Sequence, residues 1–372
     1  MKLTIERAAL LKSLAHAQNV VERRTTIPIL SNVLIEADKR ALSLAATDME
    51  IAIVEKVPAE VSKPGALTAP AHTLYDIVRK LPEGAQVELS YGDNGARLNL
   101  SSGRSRFTLS VLPREEFPAM SGGSYPHKFQ LPAAELRTLI DRSAFAISTE
   151  ETRYYLNGIY VHALDSGGIT VLRAVATDGH RLARFEMPCP EGAAGMPGVI
   201  VPRKTVHELR KLVDGSDAPV NLALSETKIR FTFDDIELTS KLIDGTFPDY
   251  QRVIPEGNDK VMEVDCRLFA DAVDRVSTIS SEKSRAVKLE IKKGSLTLSA
   301  SSPDNGSATE ELEVSYTGTP LEVGFNSRYL LDITRQIEGE TARFSMADAA
   351  SPTLVRDVAD ASALYVLMPM RV

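Results

Sequence analysis

The sequence has little of what disulfide, zinc or membrane chemistry needs. Its only two cysteines, Cys189 and Cys266, lie far apart and form no C-x-x-C pair, a spacing that favours neither a disulfide framework nor a zinc site. No apolar run approaches the roughly 20 residues of a membrane span. Glu6, Arg7 and Lys12 interrupt the apolar residues near the start, where a signal peptide would have its core. We therefore expect a protein of the reducing cytoplasm, with no membrane partner and no cofactor.

Familiar catalytic signatures are also absent. There are six histidines, and the sequence contains no H-E-x-x-H, no G-x-x-x-x-G-K-[ST] and no G-x-S-x-G. One stretch, ATDGHR at 176–181, raises a metal-dependent hydrolase as an alternative, with Asp178 and His180 as ligands beside Asp48 or Asp249. Metal in the purified protein, or a hydrolysis that His180→Ala abolishes, would support that alternative.

Size and charge bound the remaining classes. A chain of 372 residues is long enough for two or three domains, and 43% hydrophobic with 25% charged residues is typical of a globular protein. The net charge of −7 argues against a protein that grips nucleic acid with its whole surface. A local basic face remains compatible with that charge.

The chain repeats itself. TAPAHTLYDIVRKL at 68–81 returns as IVPRKTVHELRKLV at 200–213 and, more faintly, as GFNSRYLLDITRQI at 324–337. Each copy predicts an amphipathic helix that begins at a Pro or Asn. A second helix type recurs ahead of these, near the start of the chain, from Pro132 and from Cys266. Six helices in three pairs are therefore predicted.

Other landmarks keep a constant spacing. Asp48 and Asp178 lie 130 positions apart, as do Phe117 and Phe247. Stretches of period two between the helices, such as SRFTLSVL and KIRFTFDD, predict strands with one buried face. The sequence therefore predicts three tandem α+β domains of one type, and turn-rich joints place their boundaries at 1–125, 126–253 and 254–372.

The repeat preserves scaffold rather than chemistry. The position of His180 is Glu50 in the first repeat, and the third repeat has SSPDNG there, with Asp304 but no histidine. A repeated catalytic unit would be expected to repeat its catalytic residues. This pattern favours architecture over catalysis, so we expect no catalytic residues and no metal ligands.

Taken together, these pieces resemble the bacterial sliding clamp family, the β subunit of DNA polymerase III, along the whole chain. The resemblance implies a processivity factor that is not an enzyme: a head-to-tail homodimeric ring of DNA-clamp domains around duplex DNA, with helices lining the hole and antiparallel sheets outside. The matching stretches are TIPILSN at 26–32, SGRSRF at 102–107, RYYLNG at 153–158, ATDGHRLA at 176–183, VIVPRK at 199–204, SKLIDGTFPDY at 240–250 and the terminal YVLMPMRV.

The resemblance also implies a groove that receives short peptide motifs of partner proteins. Flexible, polarizable methionines suit a surface that must repack around different Leu and Phe side chains. From composition alone, a terminal core strand explains YVLMPMRV better than a groove does, and a structural turn explains His180 equally well. The groove positions are Leu156, Thr177, Gly179, His180, Arg181, Leu182, Pro248, Arg252, Val253, Val366, Leu367, Met368, Pro369, Met370 and Arg371.

Two further surfaces follow from the resemblance and from the basic helix faces. Family positions for DNA contact match Arg24, Arg153, Tyr154 and Tyr155, and the predicted helices add Arg79, Lys80, Arg137, Arg203, Lys204 and Arg210. A solvated helix face is the ordinary alternative for such charges. The positions that match the family's subunit interface are Arg104, Arg106, Phe107, Leu109, Thr278 and Ile279, with Glu310 and Glu311 as partners for the arginines.

The implied partners are duplex DNA, the replicative polymerase, an ATP-driven clamp loader, and translesion polymerases, mismatch repair proteins and DNA ligase bound through short motifs. A peptide-binding scaffold that never encircles DNA is the second alternative. The basic helix faces distinguish it from a clamp.

Overall fold

The computed structural model describes residues 1–92, 97–118, 122–281 and 285–371. All six predicted helices are present, and each covers the expected apolar stripe. In the last helix pair, for example, Phe269, Val273 and Val276 are buried on one side. The helices are α1 (Arg7–Val20), α2 (Ala71–Lys80), α3 (Ala133–Ala144), α4 (Arg203–Val213), α5 (Cys266–Ser277) and α6 (Ser327–Thr334).

The strands follow one order in each repeat. The first repeat has β1 (Lys2–Glu6), β2 (Asn32–Asp38), β3 (Ala41–Thr47), β4 (Ile51–Pro58), β5 (Glu60–Lys63), β6 (Gly65–Pro70), β7 (Gln86–Tyr91), β8 (Arg97–Ser102) and β9 (Ser105–Ser110). The second has β10 (His127–Leu131), β11 (Gly158–Ser166), β12 (Ile169–Thr177), β13 (Arg181–Pro188), β14 (Val199–Pro202), β15 (Val220–Leu224), β16 (Lys228–Phe233) and β17 (Ile236–Lys241). The third has β18 (Lys260–Asp265), β19 (Ala286–Lys292), β20 (Ser295–Ser302), β21 (Gly306–Glu313), β22 (Ser315–Tyr316), β23 (Leu321–Asn326), β24 (Thr341–Met346), β25 (Thr353–Asp357) and β26 (Ala363–Leu367).

Local sequence explains where the helices begin. Asp265 caps α5, because its side chain accepts a hydrogen bond from the Leu268 backbone N–H at 2.8 Å. Asn326 caps α6 in the same way, with the Arg328 N–H at 3.0 Å. Pro70 directly precedes α2, where a residue without an N–H leaves no donor unsatisfied.

Two compact units make up the described fold. The first comprises Met1–Arg137, Pro190–Ala193 and Lys204–Leu242. It holds a five-stranded sheet, β5-β1-β7-β8-β9, and an eight-stranded sheet, β10-β15-β16-β17-β4-β3-β2-β6. All the recorded strand pairs are antiparallel.

The second unit comprises Thr138–Cys189, Ala194–Arg203 and Ile243–Val372. Its nine-stranded sheet has the order β14-β11-β12-β13-β26-β25-β24-β18-β22, and its four-stranded sheet has the order β21-β20-β19-β23. Within the described residues, no helix is long and apolar enough to cross a membrane.

Both large sheets are made of two halves joined in the same way. In the first unit β4 pairs with β17, and in the second unit β13 pairs with β26. Each time, the third strand after the first helix of one repeat meets the last strand of the next repeat. Such a joint fuses two hydrogen-bonded half-sheets into one continuous sheet.

Candidate functional site

The ATDGHR stretch forms a tight turn between β12 and β13. Asp178 Oδ1 accepts hydrogen bonds from the backbone N–H groups of His180 and Arg181 at 2.9 and 3.0 Å. Thr177 Oγ1 donates to the Arg181 carbonyl at 2.7 Å and accepts from the Gly179 N–H at 3.1 Å. The Asp and Thr side chains therefore hold the backbone, which is what Asx and ST turns do, and His180 lies exposed at the tip.

The first repeat builds the same turn without a histidine. Asp48 Oδ1 accepts from the N–H groups of Glu50 and Ile51 at 2.9 and 2.8 Å. Thr47 Oγ1 donates to the Ile51 carbonyl at 2.9 Å. The repeated ATD motif is thus a structural turn. Within the described residues, moreover, no group of three or more His, Cys, Asp or Glu side chains could hold a metal ion.

Arg153 fits over the turn of the second repeat. Its Nη2 donates to the Asp178 carbonyl at 3.0 Å, and its Nε pairs with Glu150 at 2.7 Å. Gly179 has a φ of +88°, and a Cβ there would lie 2.5 Å from Arg153 Nη1. Glycine is required at this position by both backbone conformation and space.

An apolar cluster lies beside this turn on one face of the nine-stranded sheet. Cross-strand pairing puts Leu182 opposite Val366, and the Met368 N–H donates to the His180 carbonyl at 2.9 Å, so β26 continues along the turn. Val253 and Met368 are exposed at its edge. The buried members of the cluster are Leu156, Val175, Leu182, Ile200, Phe247, Tyr250, Leu354, Leu364 and Val366. We call this cluster, with its exposed edge, the candidate groove.

Of the predicted groove positions, Leu156, Leu182 and Val366 belong to this cluster, whereas others lie outside it. Pro248, Arg252 and Arg371 are exposed, and Arg252 pairs with Asp249 at 2.8 Å. Leu367 is fully buried, and it points to the face opposite Val366 because side chains alternate along a strand. The remaining predicted residues are half-buried: Thr177, Pro369 and Met370.

Arg181 is used inside the fold. Its Nη1 lies 2.6 Å from Asp332 Oδ2, its Nη2 donates to the Phe145 carbonyl at 2.6 Å, and its Nε pairs with Asp178 at 3.1 Å. The guanidinium also stacks 4.3 Å from the centre of the Tyr329 ring. With its donors satisfied and the side chain only 8% exposed, Arg181 ties the turn to α6 rather than offering donors at the groove edge.

A polar network supports one wall of the candidate groove. Tyr250 Oη accepts from Arg173 Nη1 at 2.9 Å and lies 3.1 Å from His162 Nε2. Arg173 also pairs with Glu186 at 2.6 Å. Burial, and then the nearby Arg173, lower the pKa of His162 from 6.5 to about 4. His162 is therefore neutral near pH 7 and accepts a hydrogen bond from the Tyr250 hydroxyl.

The sequence alone does not predict this network. Its residues come from three strands and a turn, and no local spacing links Arg173 or Glu186 to Tyr250. The one available signal was the placement of charged residues within otherwise buried strands, which marks a paired or functional charge.

At the equivalent joint of the first unit, the corresponding cross-strand pairs are smaller or more polar. There Ala52 pairs with Thr239 and Val54 with Glu237, where the second unit has Leu182 with Val366 and Arg184 with Leu364. Small and polar side chains cannot hold an apolar ligand as Leu and Val can. The Leu182–Val366 pair therefore makes the second joint more apolar at this position than the Ala52–Thr239 pair makes the first.

The predicted basic residues divide into exposed and internally bonded ones. Arg24, Arg79 and Lys80 are exposed, although Arg79 pairs with Asp76 at 3.0 Å. Tyr154 is exposed and Tyr155 half-buried. Three others bond within their own chain through their side chains: Arg137 donates to the Val213 and Ser216 carbonyls, Lys204 pairs with Asp48 and Glu22, and Arg210 pairs with Asp214. Arg203 is half-buried, and its backbone N–H donates to the Asn157 carbonyl.

The predicted interface residues lie on or near sheet edges. β9 pairs with β8 and has no second partner strand among the described residues. Phe107 and Leu109 are half-exposed on it, whereas their arginine neighbours Arg104 and Arg106 are exposed. In the second unit Thr278 is exposed and Ile279 half-exposed after α5. Glu310 already pairs with Arg275 at 2.5 Å, and Glu311 accepts from Ser295 Oγ at 2.7 Å.

Three repeats of one α+β unit define a tandem-repeat protein. The candidate hydrolase ligands Asp48, Asp178 and His180 belong to structural turns in its first two repeats. Three family models match in succession: the N-terminal, central and C-terminal domains of the DNA polymerase III beta subunit, at residues 1–121, 130–249 and 251–371. The beta sliding clamp of Caulobacter vibrioides NA1000 is 58% identical over 372 residues, with both chains fully covered. The beta sliding clamp of Pseudomonas aeruginosa is 41% identical over the same extent.

Solved structures agree. The Caulobacter crescentus beta sliding clamp crystallised with PEG has a TM-score of 0.98 at 58% identity, covering 100% of this chain and 99% of that one. The Bartonella birtlesii sliding clamp bound to griselimycin has a TM-score of 0.97 at 51% identity, with both chains fully covered. This chain belongs to the DNA polymerase III beta subunit family, the bacterial sliding clamps. The predicted family, the fold of three tandem clamp domains and the role of a processivity factor that is not an enzyme are thereby confirmed.

Proposed function

We propose that two copies of this chain close head to tail into a ring around duplex DNA and tether the replicative polymerase through the candidate groove. The observation that carries the ring is the repeated joint between half-sheets. β4 meets β17, and β13 meets β26. Among the described residues, the edge strands β9 and β21 of the five-stranded and four-stranded sheets have no second partner strand. The third strand after α5 is β21, and the last strand of the first repeat is β9. Pairing β21 of one copy with β9 of a second copy therefore repeats the same joint.

Burial supports β9 as an interface strand. Leu238 of β17 is fully buried where it faces Ile53 of β4. Phe107 occupies the matching place on β9, since it faces Leu100 of β8 as Leu238 faces Phe231 of β16. Phe107 is only half-buried in the single chain, so a partner strand would remove further apolar area from water.

Encirclement predicts topological rather than affinity-based retention. The protein is loaded on a nicked circular plasmid by an ATP-driven clamp loader, isolated in high salt, and the plasmid is then linearised. We expect the protein to stay on the intact circle and leave the linear DNA, because salt suppresses phosphate contacts but not linkage. Equal retention on circle and line would refute the ring and favour the scaffold without DNA encirclement.

The candidate groove is proposed to bind short peptides that carry Leu and Phe side chains. Such anchors suit an apolar cluster that has a flexible methionine at its exposed edge. A fluorescein-labelled peptide with one Leu and one Phe should bind Met368→Ala about tenfold more weakly than the unaltered chain. Val358, exposed to a similar extent but outside the cluster, supplies the control Val358→Ala. Equal binding by all three proteins would place the peptide elsewhere.

The DNA-facing role is proposed for the exposed cations Arg24, Arg79 and Lys80 and for Tyr154. Mild phosphate attraction without base contacts permits sliding. Neutralising Arg24 and Lys80 should weaken DNA binding and flatten its salt dependence. Unchanged salt dependence in the double variant would remove these residues from the DNA surface.

The remaining expectations complete the proposal. Domain boundaries lie near residues 125 and 253. The clamp loader, translesion polymerases, mismatch repair proteins and DNA ligase share the groove in turn, which raises the effective concentration of each at the DNA. The protein acts in the bacterial cytoplasm, in keeping with a sequence of only two cysteines that form no C-x-x-C pair.

A further inference from the structure

A group of arginines lies next to the candidate groove on the same face of the nine-stranded sheet. Arg184 follows Leu182 by two residues on β13, and alternate side chains of a strand share a face. Its cross-strand neighbours are Val175 and Leu364, both members of the apolar cluster. On this face of the sheet, the Arg184–Leu364 pair is thus the next pair after the Leu182–Val366 pair of the candidate groove.

Arg184 is poorly neutralised within the described part of the chain. Its side chain is only 18% exposed, and its Nε is buried without a hydrogen-bond partner. The nearest carboxylate is Glu186, whose Oε1 lies 3.9 Å from Arg184 Nη2. That distance is too long for a hydrogen bond. A buried donor without a partner is costly and calls for an explanation.

The single nearby carboxylate already serves another cation. Arg173 Nε and Nη2 both donate to Glu186 Oε2, at 2.9 and 2.6 Å. Arg356 lies on β25 two residues after Leu354, which pairs with Val366, so it shares the face of the candidate groove. It is exposed and makes no side-chain hydrogen bond or ion pair among the described residues. We call Arg173, Arg184 and Arg356 the arginine patch. Three guanidiniums share one carboxylate, so the patch keeps an excess of positive charge.

The excess of positive charge affects the pKa of Arg184 itself. Burial lowers the pKa of Arg184, and the like charges of Arg173 and Arg356 act in the same direction, while Glu186 opposes them. A negative ligand would relieve both the repulsion and the unsatisfied Nε. Further along the same face, Arg343 differs because Glu263 pairs with it at 2.7 Å.

We propose that the arginine patch is an anionic extension of the candidate groove that binds an Asp or Glu side chain of the partner peptide. The proposal rests on the peptide-binding role given above. Residues i and i+2 of a strand are roughly 6.5 Å apart, and an extended peptide advances about the same distance in two residues. An acidic residue two positions from the apolar anchor over Leu182 and Val366 therefore reaches Arg184.

Three fluorescein-labelled peptides test this: a neutral peptide with one Leu and one Phe, and two versions with a Glu two residues before or after the anchor pair. Binding is measured by anisotropy at low and high salt. In the unaltered chain, one Glu peptide should bind about fivefold more tightly than the neutral peptide at low salt. That advantage should shrink as salt rises.

Two variants assign the effect to Arg184. Arg184→Met keeps the aliphatic length and should bind all three peptides alike, whereas Arg343→Met, the matched control, should keep the preference for Glu. Arg184→Glu should instead favour a peptide with Lys at the same position, which is a gain that a misfolded variant could not show.

The outcomes separate the two proposals. If the neutral peptide binds but Glu brings no advantage, or if Arg184→Met keeps the advantage, the anionic extension is refuted and the groove stands. If no peptide binds the unaltered chain, both proposals fail.

Discussion

At the scale of single residues, the turn between β12 and β13 depends on one glycine and one arginine. Gly179 leaves room for the Arg153 guanidinium, which hydrogen-bonds the Asp178 carbonyl. In the first repeat Met49 takes the corresponding place with a φ of +78°. The first repeat therefore bears the backbone strain of a side chain at this place, and in the second repeat the Arg153 guanidinium adds a steric reason for glycine.

Gly179→Ala should lower stability and weaken peptide binding, because the new Cβ displaces Arg153 as well as straining the backbone. Gly167→Ala is the matched control: its φ is +66°, but nothing lies within 4 Å of the added Cβ. Strain alone should cost about 1 kcal/mol in the control, and urea unfolding should show roughly twice that loss for Gly179→Ala. Equal losses in the two variants would mean that Arg153 moves without cost.

His162 predicts a component of stability that depends on pH. The unfolded residue takes up a proton near 6.5, whereas the folded residue does so only near 4. The unfolded state therefore binds more protons between these values, and stability should fall as the pH falls from 6.5 to 4. The expected loss is on the order of 1–2 kcal/mol, allowing for partial exposure. His162→Gln, which can still bond Tyr250, should lose this component in urea titrations run at several pH values; an unchanged pH profile would contradict the assignment.

At the scale of elements, Arg181 joins β13 to α6. One guanidinium contacts Asp178, Asp332 and the Phe145 carbonyl, so a strand of the second repeat and a helix of the third share a buried ion pair. The turn beside the candidate groove is thereby fixed to a helix. The proposed peptide would therefore bind an edge whose backbone is already ordered.

Asp332→Asn should therefore destabilise the chain by about 3 kcal/mol, since it removes the closest negative partner of a buried arginine. Asp271→Asn, on the exposed side of α5, should change stability by less than about 0.5 kcal/mol. Thermal unfolding compares the two. A loss for Asp332→Asn as small as that of the control would show that the remaining partners suffice for Arg181.

At the scale of the whole molecule, we expect assembly to use the two sheet edges β9 and β21, which have no second partner strand in the part of the chain that the structure describes. β9 presents half-buried Phe107 and Leu109, and α5 is followed by half-buried Ile279. An unpaired strand edge that carries apolar side chains is suited to pairing with a second chain.

Ile279→Asp should yield monomers, because a carboxylate placed in an apolar interface loses its hydration without gaining a partner. Ile169→Asp serves as the control, since Ile169 is 66% exposed at a strand start elsewhere. Sedimentation velocity should show a dimer for the control and a monomer for Ile279→Asp. A dimer for both would move the interface away from this segment.

Local patterns in the sequence are enough to predict the helices, the strands and their threefold recurrence. Apolar spacing around residues such as Phe269 and Val273 predicts the helices, because the period of an α-helix is fixed by its backbone geometry. The constant distance from Asp48 to Asp178 likewise predicts that the same turn recurs. These signals are local, so they survive without any knowledge of what lies across the fold.

Which side chains contact each other depends on how the strands and helices pack in three dimensions. Arg181 and Asp332 are 151 positions apart, and the pairing of β13 with β26 brings Arg184 beside Leu364, yet no periodicity within either strand encodes its partner. Antiparallel pairing specifies a register but not a distance along the chain. The joint that carries the groove, the use of Arg181 inside the fold and the uncompensated charge of Arg184 therefore became visible only once the strands were in place.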